Sequence, residues 1–299
     1  MNLFTNLESL SLYLPELMAV FLILAIFLSE SLPNYRHLTF NISIIGLLLI
    51  AFTMFVVPSS NKLLFQGMIV NDSFSYYFKY LIILSTFSVI LVSKKDNSVI
   101  NEVKGEYYGM LVIIMLGMFT MVSAKNLLMI YLSIELVSIP SYIIAGISKN
   151  DKESNEASLK YVIYGSFASG IMLFGLSFLY GLTGSTDINF IANSLITNDN
   201  PLTLYISILF ILVGFGYKIS MVPFHYWTPD VYQGAPITVT AFLSVAPKIA
   251  GFAIMIRFFY TLFAGSSLDV NWPELIAIFS ALTMTIGNIL ALKQVNIKR

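Results

Sequence analysis

No cysteine occurs in the 299 residues, so no disulfide, thiolate metal site, cysteine-ligated iron–sulfur cluster or thiol nucleophile can form. Any redox chemistry connected with the protein must therefore sit in another polypeptide. Charge is nearly as scarce: Asp, Glu, Lys and Arg make up 11% of the residues, against about 25% in ordinary globular chains. The 16 basic and 16 acidic residues cancel without forming a basic stripe, which argues against a nucleic-acid partner.

Apolar residues fill the space that charge leaves, at 57% of the chain with a mean hydropathy of +0.82. A membrane-crossing helix needs about 20 predominantly apolar residues. Nine runs qualify: 10–29, 38–58, 74–93, 107–123, 126–147, 158–182, 202–222 with a broken extension to 231, 238–263 and 272–292. Lipid offers no partner for open backbone groups, so the expectation is an all-α polytopic membrane protein with about nine transmembrane helices. The first run does not read as a cleaved signal, because Glu8 precedes it without any Lys or Arg and Glu30 follows it.

Orientation follows from the basic residues of the short connections. Arg36, Lys94, Lys95, Lys104, Lys149, Lys152, Lys293, Lys298 and Arg299 fall on one side, and only Lys62 and Lys125 on the other. That bias puts the N-terminus outside, with Asn2, and the C-terminus in the cytoplasm. The longest connection, 183–201, carries Ile188, Phe190, Ile191, Leu195 and Ile196 among polar residues, the pattern of a short interfacial helix.

The ionisable residues inside the runs sort by depth. Lys79 and Arg257 lie near the ends of theirs, where long side chains snorkel to headgroups. Glu135 stands nine residues past Asn126, at 1.5 Å per residue about 14 Å deep, and Lys248 ten residues past Thr238 at similar depth. Lys218 lies inside the seventh run. An ammonium at the bilayer centre costs roughly 2.5–3.5 kcal/mol on insertion scales, so such groups face either a wet interior or a buried ion pair. Pro223 lacks an N–H and clashes with the carbonyl of Ile219, which opens the helix past Lys218, and Pro229 and Pro236 follow. A helix interrupted at membrane depth lines a cavity or packs in protein, and its freed groups suit ions. His225, one of two histidines, lies just beyond the break. Glu156 and Lys160 are spaced for a helical ion pair at the start of the sixth run, and Lys160 borders its charge-free part as the mouth of a wet path. Gly165, Ser166, Ala168, Ser169 and Gly170 on that helix suit close helix packing.

These residues carry a resemblance. Gly216-Tyr-Lys-Ile-Ser-Met-Val-Pro-Phe-His-Tyr-Trp-Thr-Pro-Asp-Val-Tyr-Gln-Gly-Ala-Pro236 and Val239-Thr-Ala-Phe-Leu-Ser-Val-Ala-Pro-Lys248 resemble the subunit N family of bacterial NADH-quinone oxidoreductase, respiratory complex I. Tyr131-Leu-Ser-Ile-Glu135-Leu, Glu156-Ala-Ser-Leu-Lys160-Tyr and Asn296-Ile-Lys-Arg299 are similar to it as well. The likeness covers most of residues 125–299, whereas the first three runs match only in hydrophobic layout.

The resemblance implies an antiporter-like fold with a broken seventh helix, the first of two inverted five-helix repeats, in a proton-translocating membrane-arm subunit. It implies that Glu135 and Lys218 form a charge pair in a half-channel, that His225 and Lys248 continue the polar axis, and that Lys160 lies toward the cytoplasmic entry. Three regions follow: leading helices over 1–106, a five-helix repeat over 107–263 with its break around 222–236, and the first helix of an incomplete second repeat over 264–299. No cofactor is expected in this chain; NADH, FMN, iron–sulfur clusters and quinone would belong to partner subunits in the same bilayer complex. Ile237-Thr238 departs from the family's usual Thr-Pro. The chain is also short for the family, the pattern of a C-terminal truncation, so residues 1–299 alone are expected to insert without translocating protons. Two other readings stand beside this one: a subunit of a multi-subunit sodium/proton antiporter, and an inert truncated product. The lack of a targeting leader favours a bacterial inner membrane over an organellar one.

Overall fold

The computed structural model describes residues 6–57, 59–96, 99, 103–195, 201–263 and 271–299. Asn2 and Ile196 lie outside the described residues. Among those residues, nine helices are long and apolar enough to cross a membrane.

A short α1 (Asn6–Leu12) gives way at Tyr13 to α2 (Leu14–Ser31). Pro15 stands in the first turn of α2, where a missing N–H costs nothing, so the expected first run begins as two helices. A 3-10 turn (Pro33–Leu38) leads to α3 (Thr39–Val56), and α4 (Ser73–Ser93) follows. Between them the chain departs from pure helix: β1 (Lys62–Leu64) pairs antiparallel with β2 (Ile69–Asn71) around a left-handed turn at Phe65, Gln66 and Gly67. Ile69 then bridges Ala124, and Asn126 bridges Asp187, so three connections on this end of the bundle satisfy one another's backbone groups. Apolar runs could not announce that device.

α5 (Lys104–Ser123) is the central helix, buried on nearly every face between α2, α4, α6 (Leu127–Ala145) and α11 (Ile237–Phe263). Gly117 lets α5 touch α6, since a Cβ there would stand 3.0 Å from the backbone N of Val137. α6 turns sharply into α7 (Lys152–Thr183), and the α7 side chains Ser154 and Ser158 donate to the carbonyls of Ala145 and Tyr142 left open at the end of α6. Asp187 then caps α8 (Ile188–Leu195) by accepting from the N–H groups of Asn189 and Phe190. Ile188, Ile191, Ala192 and Leu195 of this helix are buried and Phe190 is exposed; the helix packs on α11 and α7.

α9 (Pro201–Ile219) lies along α7 at close range, because a Cβ on Gly175 would meet Ser207 O at 2.7 Å. Of the small residues expected to allow close helix packing, Gly165 abuts Tyr142 of α6, but Gly170 faces open space. α10 (Trp227–Gly234) and α12 (Trp272–Leu292) complete the chain.

Two expectations about charge are corrected. Lys79 does not snorkel: it is 4% exposed, and its Nζ lies 2.5 Å from Glu16 Oε1 on α2, beneath the rings of Tyr76 and Phe119. Arg257 does not snorkel either. Its Nε donates to Val122 O, and its Nη1 and Nη2 both donate to the carboxylate of Asp72, the capping residue of α4. In each case a partner from a distant segment removes the need for the guanidinium or ammonium to find water.

Candidate functional site

α9, the seventh membrane-crossing helix, ends one residue past Lys218, and its end is a closed structure. Ser220 takes the left-handed conformation at φ 60°, its N–H donates to Tyr217 O, and the N–H of Met221 donates to Gly216 O. These are the two reversed bonds of a Schellman terminus, with serine at the position that glycine usually holds. The backbone therefore turns here before Pro223 is reached. Thr228 donates to Ser220 Oγ, and the indole N–H of Trp227 donates to Tyr217 O, so the first turn of α10 helps satisfy the end of α9.

Lys218 is 3% exposed and sits at the junction of α9, α6 and α11. Its Nζ donates to Ser138 Oγ at 3.0 Å. Gly251 of α11 lets that helix close on the end of α9, because a Cβ there would stand 2.7 Å from Ile219 Cγ2. Glu135 lies on the same helix as Ser138, three residues earlier, yet no ion pair joins it to Lys218 among the described residues. The buried Glu135 Oε1 has no hydrogen-bond partner there. Pro140 lies within this helix, five residues past Glu135.

Lys248 has a parallel setting that apolar periodicity did not reveal. Pro247 precedes it within α11 and, lacking an N–H, leaves the carbonyl of Leu243 without its helical donor. The Tyr232 hydroxyl of α10 donates to that carbonyl, and the Lys248 ammonium stands 5.5 Å from the Tyr232 ring centre. Lys248 and His225 line one cavity of about 280 Å³ together with Ser220, Thr228 and Gln294. Neither ring nitrogen of His225 has a partner among the described residues, although both are buried.

Lys160 stands apart from this group. It is bound by Glu156, one turn back, at 2.8 Å and by Asp230 of α10 at 2.5 Å, in a half-open cleft of about 150 Å³. Arg299 also bonds Asp230. Between Lys160 and Lys218 lies an aromatic cluster: Tyr161 stacks on Trp227 with ring centres 4.5 Å apart, and Tyr142 and Tyr217 close around them. The Tyr217 hydroxyl donates to Tyr161 O. At the start of α11, Thr238 donates to Asp96 Oδ2, so the Ile237-Thr238 pair is tied to the turn that follows α4.

The structure thus gathers His225 and Lys248 around one cavity, holds Lys218 and Glu135 on facing helices, and places Lys160 at an exposed end. Asp230, Ser138 and Tyr232 were missed by the sequence reading. Asp230 could have been found from its acidic charge in a proline-broken segment; a serine or tyrosine in an apolar helix gives no such signal.

The sequence profile of the family described as NADH:quinone oxidoreductase/Mrp antiporter, transmembrane, matches residues 124–299, more than half of the chain. The chain is 39% identical over 317 residues to NADH-quinone oxidoreductase subunit N of Anaeromyxobacter sp. strain Fw109-5, covering 98% of itself and 61% of that relative. It is 43% identical to NADH-quinone oxidoreductase subunit N 2 of Chloroherpeton thalassium, covering 97% of itself and 59% of the relative. Among solved structures it superposes on a chain of respiratory complex I from Thermus thermophilus with bound aureothin at a TM-score of 0.77 and 27% identity, covering 94% of itself and 58% of that chain. It therefore spans 58–61% of the length of these proteins.

Proposed function

Because the chain belongs to the NADH:quinone oxidoreductase/Mrp antiporter transmembrane family, we propose that it serves in a proton-translocating membrane subunit of an NADH-quinone oxidoreductase. The names of the relatives, subunit N in both cases, favour this over a sodium/proton antiporter subunit. The observation that carries the reading is the group at the broken helix: a buried lysine held by one serine hydroxyl, a carboxylate oxygen without a partner and an imidazole with two unpartnered nitrogens. Buried polar atoms of this kind are satisfied by water, and a polar cavity with several partners is where ordered water resides.

In this proposal Lys218 accepts a proton and passes it on through water, with Glu135 setting how firmly the ammonium is held. A carboxylate that approaches stabilises the charged lysine, and one that withdraws releases it. His225 and Lys248 continue the relay inside their shared cavity. Lys160, gripped by Asp230 and Glu156, marks the cytoplasmic entry, and the region 107–263 acts as one five-helix unit. The energy comes from quinone reduction in partner subunits, which also hold the NADH, FMN and iron–sulfur sites. The membrane is the bacterial inner membrane, with the N-terminus outside.

The assembly is tested by tagging the protein in its native membrane and purifying it under mild detergent. NADH:quinone reductase activity should copurify with the tag. Copurification of sodium-dependent proton exchange without NADH oxidation would favour the antiporter reading instead.

A further inference from the structure

Several basic residues at one end of the leading helices converge although Arg36, His37 and Lys94 are solvent-exposed and Lys104 is half-buried. Arg36 and His37 from the 3-10 turn after α2, Lys94 at the end of α4 and Lys104 at the start of α5 line a single cavity of about 210 Å³. We infer that this cavity binds a phosphate ester anion, the chemistry of an anionic lipid headgroup or of a small soluble phosphate.

Arg36 is held in place by its Nε, which donates to Glu30 O at 3.0 Å, leaving the outer face of the guanidinium available. Lys104 Nζ donates to Lys94 O at 3.2 Å, and Lys94 Nζ stands 4.3 Å above the Phe40 ring, so neither ammonium is neutralised by these contacts. Glu30 is the acid in the lining. Its carboxylate packs against Gly105 at the start of α5 and lies 3.5 Å from Arg36 Nε. Among the described residues that line it, three permanent cations thus face one carboxylate, an excess of two positive charges without counting His37. Glu106, also near Glu30, is exposed and outside the lining.

Guanidinium and ammonium donors converging from separate elements suit a tetrahedral oxyanion, which each can approach from a different side. The Phe40 and Tyr108 rings, 6.1 Å apart, give the cavity an apolar wall. Leu32 and Tyr35 are each 52% exposed on the turn beside it. Helix ends set the cavity at headgroup level, where an ester's apolar part would lie along such a surface.

The test uses the full chain in mild detergent, stripped of lipid, with phosphatidylglycerol as the probe, phosphatidylcholine as the zwitterionic control and binding read by native mass spectrometry. Replacing Arg36, Lys94 and Lys104 together by alanine should weaken phosphatidylglycerol binding by about tenfold or more, the scale of losing charge-assisted contacts. Replacing Lys149, Lys152 and Lys293, basic residues outside the cavity, should leave it within about twofold, or roughly 0.4 kcal/mol. The charge-keeping Lys94→Arg/Lys104→Arg protein guards against misfolding and should still bind. Displacement of the lipid by inorganic phosphate would identify a soluble phosphate as the occupant, and retention under the same challenge would identify the headgroup. Unchanged binding in the triple variant, equal loss in the control triple or loss in the charge-keeping variant would each overturn the inference.

Discussion

Arg257 grips Asp72 through two parallel bonds, Nη1 to Oδ2 and Nη2 to Oδ1, each 2.8 Å long. The pair joins the cap of α4 to the far end of α11, the helix that carries Lys248.

Burial works to raise the Asp72 carboxyl, but the hydrogen bonds and charge of Arg257, together with Ser75, outweigh it and hold the group below the usual carboxylate range. A depressed folded value stabilises the protein above the unfolded value of about 3.9 and loses that contribution as pH falls through the folded one. Asp72→Asn should therefore cost on the order of 3 kcal/mol at pH 7, the low end for breaking a buried pair. The gap to the unsubstituted protein should narrow below about pH 4. Thermal unfolding in detergent across pH measures both, and a gap that does not change with pH would rule out the charge pair as its source.

Glu16 and Lys79 tie α2 to α4 in the same manner, with even less exposure. Lys79→Met leaves Glu16 alone in an apolar setting and should destabilise by about 3–5 kcal/mol. The Glu16→Gln/Lys79→Met double substitution should recover most of that loss. If the double variant is as unstable as the two single losses added, the residues are not coupled.

Two glycines on α7 separate packing from propensity. Gly175→Ala drives a Cβ into the backbone of α9 at Ser207 and Ile211, which should cost about 1–3 kcal/mol. Gly170→Ala meets nothing and should stabilise the helix by up to about 1 kcal/mol. Unfolding midpoints that move in the same direction for both would contradict the close contact of α7 with α9.

How much was legible beforehand depended on how local the cause was. The apolar runs set the nine spans, and depth along a helix singled out Glu135, Lys218 and Lys248, because charge in lipid is costly wherever its partner lies. Lys79 and Arg257 were misread for the complementary reason. Their partners, Glu16 and Asp72, lie 63 and 185 residues away in sequence, and nothing local says that a long side chain has been answered by a carboxylate rather than by water. The helix end at Ser220 was displaced for a third reason. The backbone closes on itself through a left-handed serine, a conformation that residue identity alone does not predict.

The central claim is that protons cross through Lys218, and the protons delivered per NADH oxidised test it most directly. The complete protein, assembled with its partners in inverted vesicles, is compared with Lys218→Met by following acidification of the lumen and NADH consumption together. The relay predicts a drop in both rates and fewer protons per NADH, whereas Lys149→Met, on an exposed connection, should change neither. An unchanged ratio of protons to NADH in Lys218→Met, in a fully assembled complex, would contradict a path through the broken helix.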